Sequence, residues 1–114
     1  MTVGEVAEKL GLEVLTEGGS LAREITGGYA SDLLSDVLAH GRAGDVWVTL
    51  QTHHNIIAVA SMKDLAAVIL VNGRQPEAEA LAAASREGVP VLSSPLPAFA
   101  LIGELCRLGI RGAA

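Results

Sequence analysis

"LAAVILVNG", residues 65–73, is the stretch that decides the fold, because it is almost wholly apolar. A strand without a polar face is typical of a parallel sheet, in which helices cover both sides. We therefore expect residues 65–73 to form a strand that is buried on both faces. The chain should then belong to the α/β class, with helical segments before and after this strand.

Strands and helices alternate on both sides of the apolar strand. This alternation predicts an α/β fold, a single three-layer domain with a mostly parallel sheet and right-handed connections. The predicted strands lie at 12–19, 21–26, 45–50, 65–73 and 89–94. The predicted helices begin near Thr2, Ser31, Thr52 or His53, and Pro76, and a last helix lies at 96–109.

Capping residues and apolar spacing define the predicted helices. Thr2 with Glu5 forms a capping-box pattern, and Ser31 is the expected N-cap of the second helix. Glycines at positions 11, 41 and 88 are expected to end helices. The predicted buried sides carry Leu33, Leu34, Val37 and Leu38 in the second helix, and Phe99, Ile102 and Leu105 in the last.

The length of 114 residues predicts one domain. We divide it into a short N-terminal helix-strand segment at 1–20, a core at 21–110 and a frayed tail at 111–114. The longest apolar runs fall well short of the roughly 20 residues that cross a bilayer. The N-terminus carries acidic residues where a secretory signal carries basic ones. We therefore expect a cytoplasmic protein without a membrane role.

The composition argues against nucleic acid as a partner. The net charge is −5, and no cluster of Lys or Arg could attract phosphates. Only Trp47, Tyr29 and Phe99 are aromatic, so bases have few stacking partners. Cys106 is the single cysteine, which excludes an internal disulfide and a cysteine metal site.

The fold class also predicts where a ligand would lie. In open α/β sheets, ligands bind beyond the carboxyl ends of the strands, where loops meet helix N-termini. The polar loops expected at this edge are residues 26–29, 51–55, 72–75 and 93–94. Because the strands are expected to be parallel, we expect these loops to converge on one rim.

The Thr26-Gly27-Gly28 turn is the first candidate for a ligand site. Glycine allows positive φ and a close approach of backbone to ligand, and a following helix would offer free N–H groups to an anion. The alternative is a strand-to-helix turn that needs glycine for its geometry alone. The turn matches neither the phosphate-binding Walker pattern nor the dinucleotide-binding pattern.

The segment "THHN", residues 52–55, is the second candidate. His53 and His54 are adjacent, so on a helix their side chains diverge by about 100° and cannot chelate one ion as an i, i+4 pair does. We expect no metal site here. Thr52 or His53 is instead expected to cap the helix, and His53 could alternatively donate a hydrogen bond to a ligand or titrate near neutral pH.

Arg74 is the one cation in an expected rim loop. It either binds a phosphate or carboxylate or is simply solvated. The remaining polar residues do not form a catalytic group with a nucleophile and a base, which argues against an enzyme and against a bound cofactor. Ser93 and Ser94 are expected in a turn, Cys106 in packing, and Glu77, Glu79 and Glu87 on a solvated helix face.

The stretch from Glu24 to Gly73 resembles the DRTGG domain family, which is named for an Asp-Arg-Thr-Gly-Gly sequence. The signature reads Glu-Ile-Thr-Gly-Gly at residues 24–28, so only its second half is kept. Further matching features are Gly-Tyr-x-x-Asp-Leu-Leu-Ser, Gly44-Asp45 before a strand, and Thr-His-x-Asn followed by Ile-x-Ala-Val-Ala-Ser-x-Lys-Asp. The resemblance covers most of residues 21–110.

The resemblance implies a regulatory α/β module rather than an enzyme. Such domains lie between the CBS domains of some pyrophosphatases and within some phosphotransacetylases, and they are related to the N-terminal domain of HPr kinase/phosphatase. In pyrophosphatases the family dimerises and takes part in adenine-nucleotide regulation. This chain is similar to the stand-alone type, encoded beside hydrogenase and redox-sensing genes. The missing Asp-Arg half bears on nucleotide binding, since Arg could have faced a phosphate.

Three functional hypotheses follow. The first is a non-enzymatic regulatory homodimer that senses a small anionic ligand such as an adenine nucleotide. The second is an interaction module that docks on a larger redox or signalling enzyme, and the third is a small enzyme acting on a phosphorylated metabolite through Thr52, His53 and Arg74. The predicted ligand-binding residues are Thr26, Gly27, Gly28, Tyr29, Thr52, His53, Asn55 and Arg74.

Overall fold

A five-stranded sheet separates two helical layers in the computed structural model, which describes residues 1–17 and 19–113. Gly18, near the end of the predicted strand 12–19, and Ala114 of the predicted tail lie outside the described residues. The strands are β1 (Glu13–Val14), β2 (Gly27–Ala30), β3 (Asp45–Thr49), β4 (Ala67–Leu70) and β5 (Val91–Ser93). The helices are α1 (Val3–Leu10), α2 (Leu34–His40), α3 (Asn55–Met62), α4 (Ala78–Glu87) and α5 (Ala98–Arg107).

The strand order across the sheet is β1-β5-β4-β3-β2. β2, β3, β4 and β5 are parallel, and β1 pairs antiparallel with β5. Each parallel strand is followed by a helix, so the strands are added one after another in the same direction. The predicted α/β class with a mostly parallel sheet is confirmed.

Side chains along the strands alternate between the two helical layers. Val46 and Val48 of β3 belong to the core shared with α1 and α5, whereas Trp47 belongs to the core shared with α2, α3 and α4. All four residues of β4 are buried. The predicted buried strand is confirmed at 67–70, with burial over residues 65–71, because each face of β4 has its own helical cover, whereas Asn72 and Gly73 are exposed in the following turn. Each fully buried aliphatic side chain contributes about 1.5–3 kcal/mol to stability.

The predicted helix boundaries hold for α1 and at the end of α4. Thr2 and Glu5 form the reciprocal capping box, and Gly11 and Gly88 end α1 and α4 in the left-handed conformation. Ser31, however, does not cap α2. Its hydroxyl accepts the N–H of Leu33 at 3.2 Å, and the helix begins at Leu34.

The other predicted helix starts are displaced. α3 begins at Asn55 with His54 in the N-cap position, so neither Thr52 nor His53 caps it. The ring of His53 instead accepts the N–H of Asn55 within the preceding turn. α4 begins at Ala78 rather than at Pro76, with Glu77 in the N-cap position.

Residues 21–26 are not a strand of the sheet, which corrects the prediction for "LAREIT". Their backbone instead bonds to the N-terminal segment, where Val3 N–H donates to the carbonyl of Arg23 and Ile25 N–H donates to that of Met1. The strand is the following segment, Gly27–Ala30. Thr-Gly-Gly therefore leads into a strand and is not a strand-to-helix turn.

Two predicted apolar faces are wrong in detail. Phe99 is 90% exposed, and the buried residues of α5 are Leu101 and Leu105. Leu33 is 64% exposed, and Val37 is the buried residue of α2. In α5 the sequence offers apolar residues at both i, i+3 and i, i+4 spacing, so periodicity did not decide which of them faces the sheet.

Cys106 is exposed, which corrects its prediction as a packing residue. It lies beside Leu105 on the side of α5 that borders a shallow apolar depression of about 150 Å³. This depression also includes residues of β2 and β3, so it lies where α5 leaves the sheet uncovered.

Gly27 is required by a close approach of two strands. A Cβ atom on Gly27 would lie 2.6 Å from Oδ1 of Asp45, whereas one on Gly28 would make ordinary contacts at 3.5 Å or more. Asp45 is buried, and its Oδ2 is held by the N–H of Arg42, so it cannot easily move aside.

We predict that Gly27→Ala lowers the free energy of unfolding by about 1–3 kcal/mol, the usual cost of overpacking. Gly28→Ala is the matched control. It should be neutral or stabilise by up to about 1 kcal/mol, because alanine restricts the unfolded chain. Urea denaturation of both variants measures the difference. Equal effects of the two substitutions would contradict the role assigned to Gly27.

Candidate functional site

The predicted site residues fall at two opposite edges of the sheet. Gly27 pairs with Asp45 at the start of β3, so the Thr-Gly-Gly segment lies at the amino edge. Thr52 and Arg74 follow the ends of β3 and β4 and lie at the carboxyl edge. The expectation of one common rim is therefore wrong for Thr26, Gly27 and Gly28, because this segment enters a strand instead of leaving one.

At the amino edge, Thr-Gly-Gly interlocks with the Gly44-Asp45 pair. Thr26 N–H donates to the carbonyl of Gly44 at 3.0 Å, and Thr26 Oγ1 donates to the carbonyl of Ala43 at 3.3 Å. Gly44 has a φ of +85°, and a Cβ atom there would collide with Thr26. Together with the approach of Gly27 to Asp45, these contacts explain both glycines by packing.

Tyr29 binds residues of α2 on the other side of β2. Its hydroxyl donates to Oδ2 of Asp36 at 2.8 Å, and its ring stacks on His40 at 6.3 Å between centroids. The Tyr29 hydroxyl is the main cause of a lowered Asp36 pKa, and Ser31 and His40 lower it further. The same hydrogen bond raises the pKa of Tyr29.

The carboxyl edge brings together three loops that are distant in sequence. Glu77 N–H donates to the carbonyl of Thr52 at 3.0 Å, which links the loops after β3 and β4. Gly73 N–H donates to the carbonyl of Ser94 at 2.8 Å, and Ser93 Oγ donates to that of Arg74 at 3.2 Å. These bonds fix the loops after β4 and β5 relative to each other.

Arg74 is exposed at this edge. Across residues 1–17 and 19–113, its guanidinium makes no hydrogen bond and no ion pair, although its backbone is held on both sides. By contrast, the guanidinium of Arg23 binds both carboxylate oxygens of Asp64 at 2.9 and 3.1 Å and lowers the pKa of that carboxyl group. Arg74 thus offers its donors to solvent or to a ligand.

Asp32 is a polar residue of the carboxyl edge that the sequence did not reveal. Its Oδ1 accepts from Thr49 Oγ1 at 2.8 Å and from Leu50 N–H at 2.7 Å, and its carbonyl accepts from Gln51 Nε2. It therefore fixes the loop after β2 against the end of β3. Its position just before the second predicted helix was the available signal in the sequence.

The two adjacent histidines do not diverge as predicted. They precede α3 instead of lying within it, and their ring centroids are 4.0 Å apart. Glu77 of the neighbouring loop lies beside them, and ligating atoms of His53, His54 and Glu77 all fall within 4.8 Å of one another. Such a set of nitrogen and oxygen donors can hold a metal ion.

The structure also bears on how the chain meets its surroundings. Among the residues that the structure describes, no helix has the length and apolar character needed to span a bilayer. β2 is an edge strand of the sheet, so one side of its backbone faces away from β3. The apolar depression of about 150 Å³ lies next to this edge.

Comparison with known proteins supports the resemblance drawn from the sequence. The sequence model of the DRTGG domain family matches residues 5–108. No curated protein matches the chain.

A solved structure with a similar fold is the crystal structure of the CBS and DRTGG domains of the regulatory region of Clostridium perfringens pyrophosphatase, complexed with the activator diadenosine tetraphosphate. The TM-score is 0.65 at 13% sequence identity, so this likeness shows the fold alone. It covers 90% of this chain and 44% of the pyrophosphatase chain, so this chain spans less than half of that structure.

We predict that Tyr29→Phe raises the pKa of Asp36 toward its ordinary value, because the main hydrogen bond to the carboxylate is lost. A lowered folded-state pKa stabilises the protein above the unfolded-state value, and this contribution is lost as pH falls through the folded-state pKa. The stability difference between wild type and variant should therefore shrink in acid.

Carboxyl NMR titration measures the pKa directly. Asp64 serves as the internal control, since Arg23 lowers its pKa independently of Tyr29. An unchanged Asp36 titration in the variant would show that Ser31 and His40 alone account for the lowered value.

Proposed function

Because the chain belongs to the DRTGG domain family, we propose that it is a non-enzymatic regulatory domain that forms a homodimer and binds a small anionic ligand such as an adenine nucleotide. The similar structure supports this proposal, since it is a regulatory region complexed with the activator diadenosine tetraphosphate. The whole chain, residues 1–114, is proposed to act as a single domain of this family.

The position of Arg74 is the observation that carries the ligand proposal. Its guanidinium is exposed at the carboxyl edge, where ligands bind in open α/β sheets. Arginine binds phosphate oxygens through two parallel hydrogen bonds. The hydrogen bonds donated by the Ser93 hydroxyl and by Gly73 N–H hold its loop, so the charge is presented from a fixed support.

Thr52, His53 and Asn55 complete the proposed ligand surface on the neighbouring loop. All three follow β3, and the bond from Glu77 N–H to the carbonyl of Thr52 ties their loop to that of Arg74. Thr26, Gly27 and Gly28 lie at the amino edge, and Tyr29 lies in the middle of β2 with its hydroxyl bound to Asp36. We propose that these residues serve the packing of β2 and its dimer contact instead of ligand binding.

The dimer proposal rests on the outer side of β2, which pairs with no further strand and is bordered by the tail residue Gly112. An edge strand presents unpaired N–H and carbonyl groups, which favour pairing with another chain. The adjacent apolar depression would be buried by the same contact. A second copy of the chain fits this surface, with its own β2 and depression facing those of the first copy.

The same surface supports the second hypothesis, docking on a larger redox or signalling enzyme. Exposed apolar side chains elsewhere, such as Phe99 and Met62, would add to such a contact. The third hypothesis, an enzyme acting on a phosphorylated metabolite, is less well supported. The hydroxyl of Ser93 donates to the carbonyl of Arg74, and that of Ser94 accepts the N–H of Leu96, so both serines are engaged in turns.

We predict that an adenine nucleotide at about ten times its Kd stabilises the protein by about 1.4 kcal/mol. This corresponds to a rise of about 5 °C in melting temperature for a domain of this size. Arg74→Gln should weaken binding at least tenfold, since a charge-assisted hydrogen bond contributes about 1.5–3 kcal/mol. Thermal-shift titration with AMP, ADP, ATP and diadenosine tetraphosphate measures both effects.

Arg107→Gln is the matched control, because it removes the same charge from the C-terminal end of α5 at the amino edge. Its nucleotide response should equal that of the wild type. No stabilisation at millimolar nucleotide would reject this ligand class. Equal loss in both variants would place the binding site elsewhere.

We predict a dimer in light scattering of the purified protein at micromolar concentration. Cys106→Asp should shift it toward the monomer, because a carboxylate in the depression opposes apolar contact. Cys106 is exposed, so the substitution should not affect folding. Met62→Asp, on an exposed position of α3, is the control and should remain dimeric. A monomeric wild type would reject the dimer.

A further inference from the structure

His53, His54 and Glu77 form a compact group of metal-ligating side chains. The histidines lie in the loop between β3 and α3, and Glu77 occupies the N-cap position of α4. One potential ligand atom from each residue lies within 4.8 Å of the other two. The group brings together two loops that neither the family match nor the similar structure assigns to metal binding.

The backbone of this group is fixed by hydrogen bonds. Glu77 N–H donates to the carbonyl of Thr52, one residue before the histidines, at 3.0 Å. The carbonyl groups of His53 and His54 accept N–H groups of α3 at 3.1 and 3.0 Å. Only side-chain torsions are therefore left to adjust when an ion binds, which lowers the entropy lost on binding.

The distances between the potential ligand atoms of the three side chains suit a small cation once the side chains move closer together. Bonds of about 2.0–2.1 Å in a tetrahedral zinc site place two ligands roughly 3.3 Å apart. The present separations of up to 4.8 Å exceed this value by up to about 1.5 Å. Because His53 and Glu77 are exposed, their side chains can rotate inward without disturbing the core.

Nδ1 of His54 is a second feature that favours an ion at this place. Its Nδ1 atom is buried and has no hydrogen-bond partner among the described residues. It lies 3.2 Å from Oε2 of Glu79, but the two atoms are not aligned for a hydrogen bond. The 3.2 Å distance between Nδ1 of His54 and Oε2 of Glu79 is close to the distance between two ligands of one tetrahedral ion.

We propose that His53, His54 and Glu77 bind a divalent cation of the zinc type, with Glu79 as an adjacent carboxylate. Two imidazoles and one carboxylate are a donor set that zinc prefers and that magnesium and calcium do not. Three protein ligands would leave a fourth position open. The 3.2 Å hydrogen bond from Asn55 N–H to Nδ1 of His53 is the interaction that coordination through this atom replaces.

The test uses the untagged chain of residues 1–114 in a Cys106→Ser background, so that the exposed thiol does not bind the metal. Calorimetric titration with zinc chloride, without nucleotide, should give one ion per chain. His54→Ala and Glu77→Gln should each weaken binding at least tenfold, since they remove ligands, whereas even outer residues of metal sites contribute about 10–100-fold.

Two matched controls keep this test specific. His40→Ala removes the third histidine, which lies at the end of α2, and Glu87→Gln removes a carboxylate at the end of α4. Both variants should bind zinc like the background protein. Circular dichroism confirms that each variant is folded, and the visible absorption of bound Co²⁺ reports whether coordination is tetrahedral.

Absence of zinc binding at millimolar metal would overturn the metal site, as would equal weakening in His40→Ala and His54→Ala. Tighter binding of Mg²⁺ than of Zn²⁺ would overturn the assigned donor set. The site shares His53 with the proposed nucleotide surface but does not rest on it. Zinc alone is the probe here and Arg74 is not a ligand, so failure of either proposal is seen separately.

Discussion

The common direction of the strands is the constraint on which the rest of the structure depends. β2, β3, β4 and β5 leave the sheet at the same edge, so the loops that follow them meet there. This is why Thr52 and Glu77 can share a hydrogen bond although they are far apart in sequence. Residues that precede a strand collect at the opposite edge, roughly 15 Å away for strands of four or five residues.

The Thr-Gly-Gly segment fits the observed register of the edge strand β2. A strand with one free side and only four residues is weakly specified, and a slip of one residue would turn each side chain to the opposite face. In the observed register Gly27 pairs with Asp45, where a Cβ atom would lie 2.6 Å from Oδ1. That register places Tyr29 toward Asp36 and lets Trp47 Nε1 donate to the carbonyl of Ser31 at 2.8 Å.

Local patterns predicted the elements well, but tertiary contacts decided their ends and orientation. The strand within the apolar run at 65–73 and the helix start at Thr2 could be predicted because a single interaction dominates each. That interaction is apolar burial for the strand and the capping box for the helix. The alternation in residues 21–26 fits a strand equally well, yet these residues bond to the N-terminal segment. Glu77 could not be placed beside His53 because only the folded sheet brings their loops together. In α5, apolar residues at i, i+3 and i, i+4 spacing define two possible buried faces, so the sequence did not reveal that Phe99 is exposed.

The departure from the family signature concerns the amino edge alone. Ile25 stands where the family has arginine, and it is buried in the core beneath α1. A longer, charged side chain at this position would point into or around that core and could not reach Arg74 across the sheet. Replacing the signature arginine therefore changes packing before β2, and the anion binding that we propose at the carboxyl edge would not depend on it. In this chain the Thr-Gly-Gly half of the signature packs the start of β2 against Gly44 and Asp45, whereas the proposed ligand surface lies on the loops after β3 and β4.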